Sequence, residues 1–216
     1  RGPLDGPGTG RGPSRPGPGG ERPMATSVIR ALQLAALLVL ANIAQAAVDP
    51  PPAYKQIALP KGVPAEVLYS VALTESKVLL RGEYVPWPWT LNVAGKSYYY
   101  ATRTAACTAL LAAINLYGAK SVDSGLGQVN IGWNGHRFSS PCESLDPYKN
   151  LDATSDILIE QRDALYASAP GRPVDWIQVA GRYHRPAGGA PAAKYRRTVS
   201  RHLSQVLGVN LLVTNP

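Results

Sequence analysis

Several residue types are scarce in this chain of 216 residues, and each scarcity closes off a class of protein. Two cysteines and three histidines are too few for a zinc ribbon or a disulfide-dense miniprotein. Aromatic residues and methionine form no periodic pattern, and no repeat of solenoid length is present. No apolar run approaches the roughly 20 residues that a membrane-spanning helix needs. Charged residues are sparse at 17%, but 45% of the chain is hydrophobic, so a wholly disordered chain is excluded. The length suits one domain or at most two.

What is present divides the chain into unlike parts. Residues 1–23 are almost entirely Gly, Pro, Arg and small polar residues, with Leu4 the exception. Such a stretch cannot offset its own ordering entropy. It ends at Met24, the single methionine, where translation is expected to start; the alternative is a genuine disordered basic tail. Residues 24–46 read as an export signal. Arg30 provides the positive start, Ala31–Ile43 the short apolar run, and Ala44-Gln45-Ala46 the small-x-small cleavage pattern. A run of about 13 apolar residues favours cleaved export over a permanent membrane anchor. Residues 47–62, with Pro50-Pro51-Pro52, are expected to be an extended linker. Residues 63–208 form the expected domain, and 209–216 a C-terminal tail.

Without residues 1–46 the chain keeps 17 basic and 12 acidic residues, a net charge of +5. The excess falls late: Arg182, Arg185, Lys194, Arg196, Arg197 and Arg201 lie in a stretch from 180 to 202 that has no acid. This suits an anionic partner, or simply a solvated helix face. No nucleic-acid-binding motif is identifiable, and nucleic acid is not the expected partner. Export places Cys107 and Cys142 in an oxidising compartment, where a disulfide is expected. A reactive thiol would need a His partner and an electropositive niche, and neither cysteine has such a neighbour in sequence.

The patterning predicts a mainly α domain with a small inserted β-hairpin. Helices are expected from Pro64 to about Ser76, from Arg103 to Tyr117, from about Asp152 to Ser168, from Pro173 to about His184, and from Pro191 to Leu207 with Gly208 as cap. Pro86-Trp87-Pro88-Trp89 breaks any helix. Thr90–Val93 and Ser97–Tyr100 flank Ala94-Gly95-Lys96 as the hairpin, and Gly125–Gly135 reads as a loop.

Glu75 lies three residues after Ala72, four after Val71 and seven after Leu68, which puts its carboxyl on the apolar face of the first of these helices. Burial disfavours the charged form and raises the pKa toward that of a general acid; a frayed helix end that swings Glu75 into water is the alternative. Gly125-Leu126-Gly127-Gln128-Val129-Asn130 combines close backbone approach with amides suited to a neutral polar ligand. Trp176, Ala180 and Tyr183 at i, i+4 and i+7 place Tyr183 on an inner helix face.

In that order these segments resemble the soluble lytic transglycosylase family, whose members have a lysozyme-like fold. The family runs Glu-Ser at a helix end, then Gly-Leu-Met-Gln, then Ala-Tyr-Asn. This chain has Glu75-Ser76, then Gly125-Leu126-Gly127-Gln128, then Tyr183-His184. The segments from Pro86 to Val93 and from Gly132 to His136 look like the branch found with conjugative transfer systems. The resemblance covers about residues 60–205. Gly127 stands in place of the family's Met, His184 in place of its Asn, and the gap between Glu75 and Gly125 is longer than usual.

The resemblance implies an exported, periplasmic enzyme that cleaves the β-1,4 bond between N-acetylmuramic acid and N-acetylglucosamine in peptidoglycan strands. Glu75 would be the one catalytic carboxyl, with Ser76, Gly125, Leu126, Gln128, Asn130, Tyr183 and His184 binding substrate. No cofactor or metal is implied. Components of a conjugative or type IV secretion machine are the implied protein partners. Trp87, Trp89 and Trp133 are candidates for stacking on sugar rings. Asp123 is read first as a loop-capping residue, and is the best second carboxylate if the outcome is lysozyme-type hydrolysis. A wall-binding or assembly protein with an impaired site is the rival reading.

Overall fold

The computed structural model describes residues 47–167 and 169–209. The leader 1–23, the signal 24–46 and the tail beyond Val209 lie outside the described residues. Within them the chain is mainly helical with a smaller antiparallel β part. No helix among the described residues is long and apolar enough to cross a membrane.

The segment expected to be an extended linker instead forms a helix, α1 (Pro52–Ala58), followed by a 3-10 turn, Leu59–Lys61. Pro50 and Pro51 remain extended ahead of it, but Pro52 occupies the first helical turn, where a missing N–H is no loss. Tyr54, Ile57 and Ala58 then make an apolar stripe that packs into the main core. Lys61 anchors the following turn by pairing with Asp152 at 2.7 Å and Asp156 at 2.5 Å.

The central helix is α2 (Ala65–Ser76), buried on most of its faces from Ala65 to Leu73. It packs against α1, against α5 (Pro147–Tyr166) and against α7 (Gly189–Leu207). Helix α6 (Trp176–His184) fills the remaining side by packing on α5 and α7. Leu68, Val71, Ala72, Leu151, Leu158, Val179, Val199 and Val206 make up this core. The α7 stripe is Ala192, Tyr195, Val199, Leu203 and Val206, at helical spacing.

Two helix starts differ from the expected ones for the same reason. Helix α5 begins at Pro147 rather than near Asp152 because Asp146 caps it, accepting from the N–H groups of Tyr148 and Lys149. Asp175 does the same for Ile177 and Gln178, so α6 starts at Trp176, three residues after Pro173. Gly208 adopts the left-handed conformation (φ 65°) that ends α7, as expected.

The β part is larger than one hairpin. After α2 the chain forms β1 (Lys77–Leu80) and β2 (Glu83–Pro86), a two-stranded sheet turning at Arg81-Gly82. The expected hairpin is β3 (Thr90–Val93) and β4 (Lys96–Tyr99), and it continues into a second sheet with β5 (Val122–Ser124) and β6 (Val129–Asn130), in the order β4-β3-β5-β6. Helix α3 (Arg103–Tyr117) covers one face of that sheet; Leu91, Val93 and Val122 meet Ala106, Leu110 and Ala113 there. Gly125–Gly135 is therefore only partly a loop: it holds β6 and a short helix, α4 (Ile131–Asn134). The disulfide is formed between Cys107 on α3 and Cys142 in the 3-10 turn Pro141–Leu145.

The burial of α1 has a direct consequence. Tyr54→Ala is expected to lower unfolding free energy by about 3 kcal/mol in a urea melt, whereas a side chain on a free linker would change nothing.

Candidate active site

Glu75 lies in the last turn of α2, at one wall of a cavity of about 320 Å³. The helix ends immediately afterwards because Lys77 turns to extended backbone (φ −64°, ψ 140°) and enters β1. Opposite Glu75 the second sheet presents a row of polar side chains. In the strand register Ser97 pairs with Asn92, Asn92 with Asp123, and Asp123 with Asn130, one residue from each of the four strands. Side chains alternate along a strand, so this row shares one face while Leu91, Val93 and Val122 point into the core behind it. All four members of the row line the cavity. Gln128, Val129, Ile157, Tyr183 and His184 complete the walls with Asn134.

The loop 124–128 is held from inside by a residue that pattern reading passed over. Asn150, only 1% exposed on α5, donates from Nδ2 to the carbonyls of Ser124 (2.9 Å) and Ser144 (2.8 Å). Its Oδ1 accepts the N–H of Gly127 at 2.8 Å. Ser76 ties the same loop to α2: its hydroxyl bonds the carbonyl of Leu126 at 2.8 Å. Gly125 is required twice over, by a φ of +79° and because a Cβ would strike Asn150 and the Ser144 carbonyl. Gly127 also has no room for a side chain, since Thr154 occupies that space.

Gln128 takes a left-handed conformation (φ 48°), which turns its side chain under the sheet. Its Nε2 donates to the carbonyls of Thr90 (3.1 Å) and Gly125 (2.8 Å). Tyr183 donates its hydroxyl to the Gly127 carbonyl at 2.6 Å. The hydroxyl that reaches Glu75 is that of Tyr195 on α7, donating to Oε1 at 2.6 Å. His184 stacks on the Tyr195 ring, centroids 4.6 Å apart and planes within 5°.

Desolvation raises the Glu75 carboxyl from its ordinary 4.5 to about 7; the Tyr195 hydrogen bond opposes this, and the charge of Asp123 adds to it. Burial also raises Asp123, against the pull of its hydrogen bond from Asn130 Nδ2 at 2.7 Å. Tyr195 and Tyr183 are both pushed well above the ordinary tyrosine range by burial and by Glu75, so both stay protonated donors. Burial and Arg185 lower His184 below its ordinary value, and at neutral pH its ring is uncharged.

Of the residues singled out in the sequence, the cavity brings together Glu75, Gln128, Asn130, Tyr183 and His184. Ser76, Gly125 and Leu126 stand behind it: Ser76 and Leu126 are buried, and all three shape the loop rather than line the cavity. Asp123 is not a loop cap but the middle residue of β5, facing the cavity. Trp87 and Trp89 do not line it. Trp87 donates its Nε1 to the Tyr100 carbonyl at 2.7 Å and packs edge-on against Trp89, which rests on the second core. Trp133 is exposed at 65%, with the Lys120 ammonium 4.1 Å above its ring. Among the described residues no group of three or more His, Cys, Asp and Glu could hold a metal ion.

Sequence reading missed Asn92, Ser97, Asn150 and Tyr195. The alternation Thr90-Leu91-Asn92-Val93 carried the signal for the first. For Tyr195 the signal was a tyrosine within an apolar i, i+3, i+4 stripe, since a buried phenol needs an acceptor.

The raised carboxyl makes two predictions. A carboxyl raised in the fold binds more protons natively than unfolded between pH 4.5 and about 7, so stability falls across that window and the full penalty stands above it. Glu75→Gln is expected to be the more stable protein at pH 8, by up to about 3 kcal/mol, with the gap closing toward pH 4.5 in paired urea melts. Tyr195→Phe removes a hydrogen bond that favours the charged form. It should therefore move the Glu75 titration upward by about one pH unit, read by carboxyl NMR.

No protein-family model, curated protein or solved structure matches this chain.

Proposed function

We propose that the chain is a peptidoglycan lytic transglycosylase of lysozyme-like fold, with Glu75 as its single catalytic acid and base. The observation that carries this reading is a cavity-facing carboxyl with a pKa of about 7, held by a tyrosine hydroxyl and faced by a row of polar side chains. Such a carboxyl is mostly protonated at pH 6 and about half protonated at pH 7, so it ionises at little cost, which is what one group needs to serve as acid and then as base. The row Ser97, Asn92, Asp123, Asn130 offers hydroxyl, amide and carboxylate partners to sugar hydroxyls.

In this mechanism the Glu75 proton passes to the glycosidic oxygen as the C1–O bond of the muramyl residue breaks. The substrate N-acetyl group assists at C1. The Glu75 carboxylate then takes the proton from the muramyl 6-hydroxyl as that oxygen bonds to C1. This closes a 1,6-anhydro ring and returns Glu75 to its protonated form, so no proton is gained or lost. Tyr195 holds Oε1 throughout, leaving Oε2 for the proton transfers. An export signal and the resemblance to the conjugation-associated branch support a periplasmic role in opening the wall locally for a transfer or secretion machine.

One observation favours a second reading. Asp123 faces the same cavity and acts electrostatically on Glu75, so the site holds two carboxyls. Inverting or retaining hydrolysis would use Asp123 to activate water or attack C1.

Digestion of purified sacculi by wild type and by Glu75→Gln, with products identified by mass spectrometry, tests both. Muropeptides ending in 1,6-anhydromuramic acid, absent with Glu75→Gln, are the expected products; reducing ends would transfer the assignment to Asp123 and hydrolysis. Because the acid must start protonated, kcat/KM should fall about tenfold per pH unit above pH 7. If well-folded wild type binds sacculi without releasing products, the chain is a binding protein.

A further inference from the structure

The stacked pair His184 and Tyr195 borders the Glu75 site: His184 lines the cavity and the Tyr195 hydroxyl bonds Glu75. Beyond it lies a second cavity of about 570 Å³, bounded by the same two residues and by Ala190, Pro191, Lys194 and Thr198. His184 lines both. Apart from that ring pair the walls are Ala190 and Pro191, small and apolar, with Thr198 and Lys194 the polar members. No carboxylate among the described residues lies within ion-pair distance of Lys194. No Asp or Glu follows Asp175 anywhere in the sequence, while Arg185, Arg197 and Arg201 add exposed positive charge along α6 and α7. The place is apolar, roomy and electropositive, and it opens next to the catalytic carboxyl.

We infer that this second cavity receives the peptide stem of the muramyl residue whose glycosidic bond meets Glu75, with Lys194 pairing a stem carboxylate. The inference rests on the peptidoglycan reading of the first cavity. The stem is carried by a lactyl ether at C3 of the ring whose C1 is being cleaved, so it must leave the first cavity close to Glu75. Its first residue is a small apolar alanine, which matches Ala190 and Pro191. The residues that follow carry carboxylates, which match Lys194. Bare glycan offers neither group, so the second cavity makes the protein selective for strands that still bear peptide.

The test separates this inference from the reading it rests on. The isotope-labelled full chain is titrated with the free tetrapeptide L-alanyl-γ-D-glutamyl-meso-diaminopimelyl-D-alanine. Amide shifts at Ala190, Lys194 and Thr198 are expected, with an apparent affinity about threefold weaker in Lys194→Gln. Lys194→Arg, which keeps the charge, should retain most of that affinity. In parallel, intact strands are compared with strands stripped of peptide by an amidase. The ratio of the two cleavage rates should favour intact strands and fall by the same factor in Lys194→Gln. Absent shifts at these residues, or equal affinity in Lys194→Gln, overturn the inference even where strands are cut. Stem binding as described with no cleavage of either strand keeps the cavity assignment and removes the enzyme. Salt-steep binding of a single-stranded oligonucleotide, with none of the tetrapeptide, overturns it in favour of nucleic-acid binding by α7.

Discussion

Three backbone groups from two loops converge on the buried carboxamide of Asn150: two carbonyls on its nitrogen and the Gly127 N–H on its oxygen. A buried amide left with unpaired groups is costly, and so are buried backbone groups, so each satisfies the other in one geometry only. That geometry fixes the turn from β5 into β6, and with it the positions of Gln128 and of the polar row on the sheet. It also joins the two cores. Asn150 belongs to α5, which packs with the helices around α2, while Ser144 belongs to the turn packed beneath α3. Ser76 completes the connection by holding the Leu126 carbonyl to the end of α2, one residue from Glu75.

The electrostatics of the cavity follow from that frame. Glu75 is carried to the wall by a helix that is buried on most of its faces, so its carboxyl meets little solvent on the protein side. A single neutral donor, Tyr195, is enough to orient it without forcing ionisation; an Arg or Lys in that place would have lowered the pKa well below the working range of a general acid. Tyr183 acts one step further out, on the Gly127 carbonyl. The two tyrosines thus divide the work: Tyr195 sets the carboxyl, and Tyr183 sets the loop facing it. His184 lies flat on Tyr195 as packing for the ring that orients Glu75.

Much of the fold is legible in side-chain spacing alone. Apolar periodicity marks the helices α2, α3, α5, α6 and α7, because each buries a stripe that repeats at 3.6 residues. Alternation at Thr90–Val93 marks the central hairpin, and the placement of Glu75 among Leu68, Val71 and Ala72 marks a carboxyl turned inward. The misses have physical causes. Residues 47–62 look extended because three prolines dominate the local pattern, yet one of them is tolerated in a first helical turn and the stripe Tyr54, Ile57, Ala58 is strong enough to fold behind it. Trp87 and Trp89 look like groove aromatics because they are large and near a turn; they pack on each other and on the second core. Strands β5 and β6 are three and two residues long, too short to show a period.

By itself, then, the sequence determined the helical segments α2, α3, α5, α6 and α7, the place of Glu75 on an apolar helix face, and that the charges of the late part of the chain are all basic. These are local properties, set by side-chain spacing and composition. Only the tertiary structure decided which tyrosine touches Glu75, that Asn150 holds the glycine loop, and that Ser97, Asn92, Asp123 and Asn130 form one row. Each of those pairs residues far apart along the chain, 120 positions for Tyr195 and Glu75. Their meeting depends on strand register and on how helices pack, and no pattern confined to one segment contains either.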